Sequence, residues 1–168
     1  GKTRVKRQCV RINYEADEGR FHLDFVPAHT RDPAEGPVLV PPDWSPSHPK
    51  GYKEWFEKQA SQLEKKRHLR YIVRMLKHWR NLQGTGPNSM ILTTLSAQAA
   101  PNEDGYRSID QALVSTMQGI FEALDSENLA DIEIQNPSLP KENLARDWSV
   151  AEMLRFKRTL SEATETAQ

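Results

Sequence analysis

Apolar and polar residues alternate along two short stretches near the start of the chain, at residues 10–14 and 20–28. Alternation with a period of two is typical of a strand that has one buried face. We therefore predict two strands, joined by a turn at residues 15–19. The face predicted to contact a core carries Val10, Ile12, Tyr14, Phe21, Leu23 and Phe25.

A proline-rich connection at residues 29–50 follows the hairpin, and after it the apolar residues recur three and four positions apart, as in helices. We predict a short edge strand at 38–40, an extended segment at 132–134 and a loop at 136–140. The predicted helices cover residues 50–62, 65–82, 88–99, 108–125 and 147–165. The pattern thus indicates an α+β fold, with a hairpin followed by a helical domain. Because a lone hairpin does not bury its apolar face stably, we expect it to belong to a larger sheet.

Charge is balanced over the whole chain, with 23 basic and 23 acidic residues, but it is unevenly distributed. Residues 53–80 carry nine Lys or Arg and three acids, whereas residues 102–168 carry six and thirteen. This asymmetry favours a local anion-binding site in the middle of the chain. No apolar run reaches the ~20 residues of a membrane helix, so no membrane partner is expected, and the one cysteine fits a cytoplasmic location.

Asp24 is the residue of the hairpin that most needs explanation. An aspartate within an apolar strand must be solvated, paired or bound to a cation. One interpretation is a ligand of a hard divalent cation such as magnesium. The alternative is a solvent-facing carboxylate that pairs with Arg11 across the hairpin.

The predicted helix at 65–82 has a basic face beside its apolar stripe. Its cations stand at i, i+3, i+7 and i+10, and they are Arg67, Arg70, Arg74 and Lys77. This face could contact phosphates. The alternative is a solvated surface, partly neutralised by Glu54, Glu57 and Glu64.

Ser89 stands at the predicted start of the helix at 88–99, where a hydroxyl and unpaired backbone N–H groups favour a phosphate. The alternative is plain N-capping by Asn88 or Ser89. The five histidines have no zinc-ligand spacing, and the chain has no GxSxG, Walker A or GxGxxG motif. Hydrolase and P-loop functions therefore have no support.

The ordered set of motifs resembles a known family. The motifs are FHLDFVPA, WSPSHPKGYKEWF, HLRYIVRMLKHWR, GPNSMILTTL and IQNPSLPKENLARDWS. Together they are similar to bacterial nucleotidyltransferases of the oligoadenylate-synthase and cyclic-GMP-AMP-synthase type. The resemblance implies a cyclic-oligonucleotide synthase of anti-phage defence, which uses nucleoside triphosphates such as ATP. It also implies that residues 1–45 are the later part of a catalytic sheet and that residues 46–168 are a helical domain closing the nucleotide site.

The resemblance also implies roles for individual residues. Three acids of the family hold two magnesium ions, and Asp24 matches the third of them, as a metal ligand and catalytic residue. Lys77 matches the lysine that contacts the triphosphate, and Ser89 matches a serine that hydrogen-bonds it. Arg70 and Arg74 are further candidates for phosphate contacts.

The chain departs from the family in one important respect. It contains no Gly-Ser motif followed by a DxD pair, so Asp24 is its only matching acid. We therefore expect the chain to be the C-terminal portion of such an enzyme, inactive without the missing N-terminal half of the catalytic domain. The alternatives are a non-catalytic module that binds nucleic acid or an acidic partner, and a template-independent RNA tailing polymerase.

Overall fold

The computed structural model describes residues 2–5, 9–16, 19–30, 36–61, 68–101, 107–125 and 128–167. The chain divides into two compact units, Gly1–Gly51 and Tyr52–Gln168. The first unit is built from strands and the second mainly from helices. This is the predicted α+β architecture, and each unit is described separately below.

The first unit contains a three-stranded antiparallel sheet. Its strands are β1 (Lys2–Val5), β2 (Val10–Ala16) and β3 (Gly19–Phe25), in the order β1-β2-β3. The β2–β3 hairpin was predicted, whereas β1 was not, since its sequence Lys-Thr-Arg-Val carries too little apolar alternation to identify a strand.

The predicted burial of the apolar face of the hairpin is wrong for its residues on β3, whereas Ile12 and Tyr14 on β2 are partly buried. Phe21, Leu23 and Phe25 are 54%, 45% and 54% exposed. Tyr14 stacks on Phe21 with ring centroids 4.8 Å apart, so the aromatic residues contact one another rather than a core. The alternation is that of a strand, but it did not predict how far these side chains are buried.

The proline-rich connection contributes a second, two-stranded sheet. It pairs β4 (Val38–Val40) with β5 (Ser45–Ser47) in antiparallel register. The strand at 38–40 was predicted, and it has a partner that the proline-rich sequence did not reveal. His29 adds an isolated bridge to Leu39 on the other edge of β4.

Five helices match the five predicted ones, with ends shifted by a few residues. They are α1 (Pro49–Ser61), α2 (Leu69–Gln83), α3 (Ser89–Ala99), α4 (Ile109–Ala123) and α5 (Val150–Thr166). The predicted first residues of α2, 65–67, lie outside the described residues. Ser149 starts α5 with a capping box, in which Ser149 and Glu152 each accept from the other's backbone N–H.

A short hairpin replaces the loop that was predicted at residues 136–140. It pairs β6 (Gln135–Asn136) with β7 (Leu139–Asn143). The turn is closed by the buried side chain of Asn136, whose Oδ1 accepts from the backbone N–H and the hydroxyl of Ser138, both at 2.9 Å. Pro137 in the turn and Pro140 within β7 concealed the strands in the sequence.

The helical unit has its own hydrophobic core, to which α2, α3, α4 and α5 all contribute. Fully buried core residues include Leu76, Leu92, Ala112, Ile120, Leu124, Phe156 and Leu160. Trp148 is 8% exposed and packs on Phe156, as expected for a core tryptophan. Within the described parts of the chain, no helix is both long and apolar enough to cross a bilayer.

Candidate functional site

The connection between α2 and α3 is a tight turn that depends on two glycines. Gly84 ends α2 in the left-handed conformation, with φ +64°. Gly86 has φ +127°, and a Cβ atom placed on it would lie 2.8 Å from Arg80 Cγ and 2.8 Å from Phe156 Cδ2. The turn is therefore packed closely against the last turn of α2 and against α5.

Asn88, not Ser89, is the N-cap of α3. The side-chain Oδ1 of Asn88 accepts from the backbone N–H groups of Met90 and Ile91, at 2.9 and 3.0 Å. Ser89 is the first residue of the helix and is exposed. Of the two capping alternatives, the structure assigns the role to Asn88, and the hydroxyl of Ser89 is therefore not used as a cap.

Lys77 lies on α2 and is partly buried. Burial, which disfavours the ammonium, lowers its pKa from the ordinary value of 10.5, and the positive charge of Arg80 lowers it further. Lys77 and Arg80 are three residues apart and share one face of the helix. The two cations therefore form an electrostatically unfavourable pair, which an anion would stabilise.

Arg80 connects this face of α2 to the start of α3, and the sequence analysis missed it. Its Nη1 donates to the carbonyl oxygen of Pro87 at 2.8 Å, and both Nη atoms lie 3.4 Å from Ser89 Oγ. Its Nε and Nη2 also donate to Oδ1 of Asn81, at 3.1 and 2.7 Å. The basic spacing of α2 could have identified it, since Arg80 continues the i, i+3 series by one step beyond Lys77.

A cleft of about 380 Å³ lies at this turn. It is lined by Arg80, Asn81, Gly84, Thr85, Gly86, Pro87 and Asn88. Lys77 and Ser89 are not among the lining residues, but the lining residue Arg80 lies 3.4 Å from Ser89 Oγ. On that contact we take the α2–α3 turn as the candidate anion site of the helical unit.

The other cations of the predicted basic face are less suited to binding an anion. Both nitrogens at the tip of Arg70 donate to the carboxylate of Glu57 on α1, which lowers the pKa of Glu57 and neutralises that position. Arg74 is exposed on α2. Arg67 lies outside the described residues. The basic face is thus concentrated at the C-terminal end of α2.

Asp24 lies on β3 of the first unit, opposite Arg11 on β2. Arg11 donates to both carboxylate oxygens, from Nε to Oδ1 and from Nη2 to Oδ2, each at 2.6 Å. His22 Nε2 stands 3.9 Å from Oδ2. The pairing considered as the alternative for Asp24 is therefore present, and the carboxylate is one-third exposed.

The described residues contain no group of three or more His, Cys, Asp or Glu side chains that could hold a metal ion. Asp24 offers hard carboxylate oxygens, which suit magnesium, but one carboxylate facing an arginine does not complete a magnesium site. The described donor set therefore does not fit two magnesium ions by itself.

Comparison with known proteins gives one curated relative at significant similarity. A c-di-GMP synthase of Roseivirga ehrenbergii is 30% identical over an alignment of 172 positions, gaps included. The alignment covers 85% of this chain and 44% of that protein. The chain belongs to the cyclic dinucleotide synthase family of nucleotidyltransferases. No model of a known protein family matches it.

Solved structures agree on the fold. The Vibrio cholerae DncV cyclic AMP-GMP synthase, bound to the linear intermediate pppA(3′,5′)pG, aligns with 99% of this chain and 46% of its own, with a TM-score of 0.74 and 18% identity. CdnC of E. coli MS115-1, in a complex with HORMA-deltaN, aligns with 98% of this chain and 57% of its own, with a TM-score of 0.69 and 14% identity. The aligned region is the C-terminal part of these synthases, and the chain spans about half of their length.

Proposed function

We propose that this chain is the C-terminal portion of a magnesium-dependent nucleotidyltransferase that makes cyclic oligonucleotides from nucleoside triphosphates. The observation that carries the proposal is the cluster at the α2–α3 turn, in a chain 30% identical to a c-di-GMP synthase. There Arg80 lies 3.4 Å from the Ser89 hydroxyl, while burial and, to a smaller extent, the charge of Arg80 lower the pKa of Lys77.

The helical unit contributes binding of the triphosphate. Lys77 supplies a compact positive charge, and its partial burial strengthens its attraction to an anion because less water screens it. Ser89 is not used as a cap, so its hydroxyl can donate to a phosphate oxygen. Arg74 is an exposed cation on the same helix and adds a weaker, screened attraction.

The first unit contributes Asp24. Its carboxylate supplies one oxygen ligand, and two further acids from outside this chain complete the set. Magnesium, when bound, would polarise the attacking hydroxyl and neutralise charge on the leaving pyrophosphate. Arg11 holds the Asp24 carboxylate in one orientation, because it donates to both oxygens.

The test of this proposal is nucleotide transfer by the full-length enzyme that contains this chain. Asp24→Asn keeps the size of the side chain and removes its charge, so it should reduce transfer by at least about a thousandfold. Because Lys77 and Ser89 are unchanged, triphosphate affinity should stay within about threefold of wild type. Glu15→Gln, an exposed acid on the same hairpin, is the matched control and should leave transfer unchanged.

Transfer that survives Asp24→Asn would show that the assignment of Asp24 is wrong. Under the rival function, a nucleic-acid-binding module, Asp24→Asn has no effect. Arg70→Ala and Arg74→Ala would then weaken polynucleotide binding, with a steep dependence on salt. The ion pair between Arg70 and Glu57 argues against that rival, since it neutralises one of the cations it requires.

A further inference from the structure

Arg80 occupies the centre of the α2–α3 turn, where its guanidinium group reaches both sides. Within its own helix, it donates to the side chain of Asn81. Across the turn, it donates to the Pro87 carbonyl oxygen at 2.8 Å and lies 3.4 Å from Ser89 Oγ through two nitrogens. A planar group with several N–H donors can satisfy these acceptors together, which a lysine ammonium at the same position could not do in the same geometry.

The contact with Ser89 determines the direction of the hydroxyl hydrogen. A serine hydroxyl has one donor and two acceptor positions. Because arginine is a donor only, Arg80 can meet Ser89 Oγ only at an acceptor position. The single O–H of Ser89 must then point elsewhere, and a phosphate oxygen, which only accepts, is a suitable partner.

We propose that Arg80 is a positioning residue of the triphosphate site, which holds the Pro87–Ser89 segment against α2 and orients the Ser89 hydroxyl as a donor to phosphate. This inference rests on the proposed function, since it assigns Ser89 to the triphosphate. The close packing of Gly86 on Arg80 Cγ supports it, because the turn has little freedom to move away from the arginine stem.

The role predicts that Arg80 and Ser89 act as one unit. Binding of inorganic tripolyphosphate, measured by calorimetry on this chain, reports on the site without any need for catalysis. Ser89→Ala removes one hydrogen bond to a charged group and should weaken binding about tenfold. Arg80→Gln should weaken it by a similar factor, and the double substitution should be no weaker than the worse of the two single ones.

Arg80→Lys separates positioning from charge alone. If Arg80 acts through its fork of donors, Arg80→Lys weakens tripolyphosphate binding nearly as much as Arg80→Gln. It also keeps a long stem and a charge, so it provides a second variant should Arg80→Gln not fold. Arg158→Gln, on the exposed face of α5 with the arginine 75% exposed, is the control and should bind as wild type.

Three results would overturn the inference. Losses from Arg80→Gln and Ser89→Ala that multiply in the double variant would mean that the two residues act independently. If Arg80→Lys binds tripolyphosphate as tightly as wild type, Arg80 acts only through its positive charge and not through its fork of donors. Unchanged affinity in Arg80→Gln and Ser89→Ala would remove both residues from the site, and triphosphate binding in the proposed function would then rest on Lys77. If the unsubstituted chain does not bind tripolyphosphate at all, both this inference and the proposed triphosphate site are wrong.

Discussion

The charge of Lys77 is unfavourable for the folded state, although the proposed function requires it. It is partly buried on α2, and its pKa is lowered first by burial and then by the charge of Arg80. Both effects mean that the charged form is less favourable in the folded protein than in the unfolded chain. A cation held at such a position is expected where an anion binds, because the anion compensates for both costs.

Replacing Lys77 with methionine should therefore separate stability from binding. Lys77→Met keeps the apolar stem and removes the charge, so it should raise the thermal midpoint by about 1–3 °C at neutral pH. Tripolyphosphate affinity should fall by at least about tenfold. Differential scanning fluorimetry and calorimetry on the same samples measure both, and a lower midpoint would show that the charge of Lys77 stabilises the fold.

The lowered pKa of Lys77 also predicts a pH dependence. In the unfolded chain Lys77 keeps its proton up to its ordinary pKa of 10.5, whereas in the folded chain it loses the proton at a lower pH. The free energy of unfolding should therefore rise with pH between the lowered pKa and 10.5. Tripolyphosphate binding needs the ammonium, and it should therefore weaken as pH rises through the lowered pKa. Lys77→Arg, whose guanidinium stays charged, should show a flat affinity over the same alkaline range; parallel pH profiles for the two would contradict the assignment.

The sequence offered Lys77, Ser89 and Asp24 as candidates because each belongs to a local pattern or motif. The spacing of the cations on α2 could have marked Arg80 as a basic residue of the same face, but not its contact with Ser89, which depends on a turn that brings residues nine apart together. It also could not show that Arg70 is neutralised, because the partner, Glu57, lies on a different helix. Such contacts depend on how elements pack, which residue spacing does not specify.

At the scale of elements, the helices were predicted well because their apolar residues recur at helical spacing. The β2–β3 hairpin was predicted equally well in outline, but its burial was not. Alternation reports that one face is apolar; it does not report what covers that face. The exposed Phe21, Leu23 and Phe25 illustrate this difference.

The α2–α3 turn gives a matched pair of glycine substitutions. Gly86→Ala should destabilise the helical unit by about 2–4 kcal/mol, since it combines a φ of +127° with clashes against Arg80 and the buried ring of Phe156. Gly84→Ala, with φ +64° and no atom within 4 Å of the new Cβ, should cost only about 1 kcal/mol. Urea unfolding of both variants measures the difference.

The same pair tests how the turn supports the site. If the turn positions Ser89, Gly86→Ala should also weaken tripolyphosphate binding in the protein that remains folded, while Gly84→Ala should bind as wild type. Equal effects of the two substitutions on stability would mean that the close packing around Gly86 is not important.

At the scale of the whole molecule, the chain consists of two units, of which the helical one has its own hydrophobic core, made of two clusters of buried residues. We therefore predict that a fragment of residues 49–168, which keeps α1 intact, folds by itself and binds tripolyphosphate with the affinity of the whole chain. Circular dichroism should show a single cooperative thermal transition. A fragment without such a transition would show that the helical unit needs the strands for its stability.

The central claim is that this chain supplies part of an enzyme making cyclic oligonucleotides, and product analysis tests it most directly. The full-length enzyme is incubated with magnesium, the four nucleoside triphosphates and an RNA primer. The products are treated with phosphatase and identified by mass spectrometry. We predict a phosphatase-resistant cyclic oligonucleotide, which disappears in Asp24→Asn and in Lys77→Met. Nucleotide tails added to an RNA primer, or no transfer at all, would contradict the account.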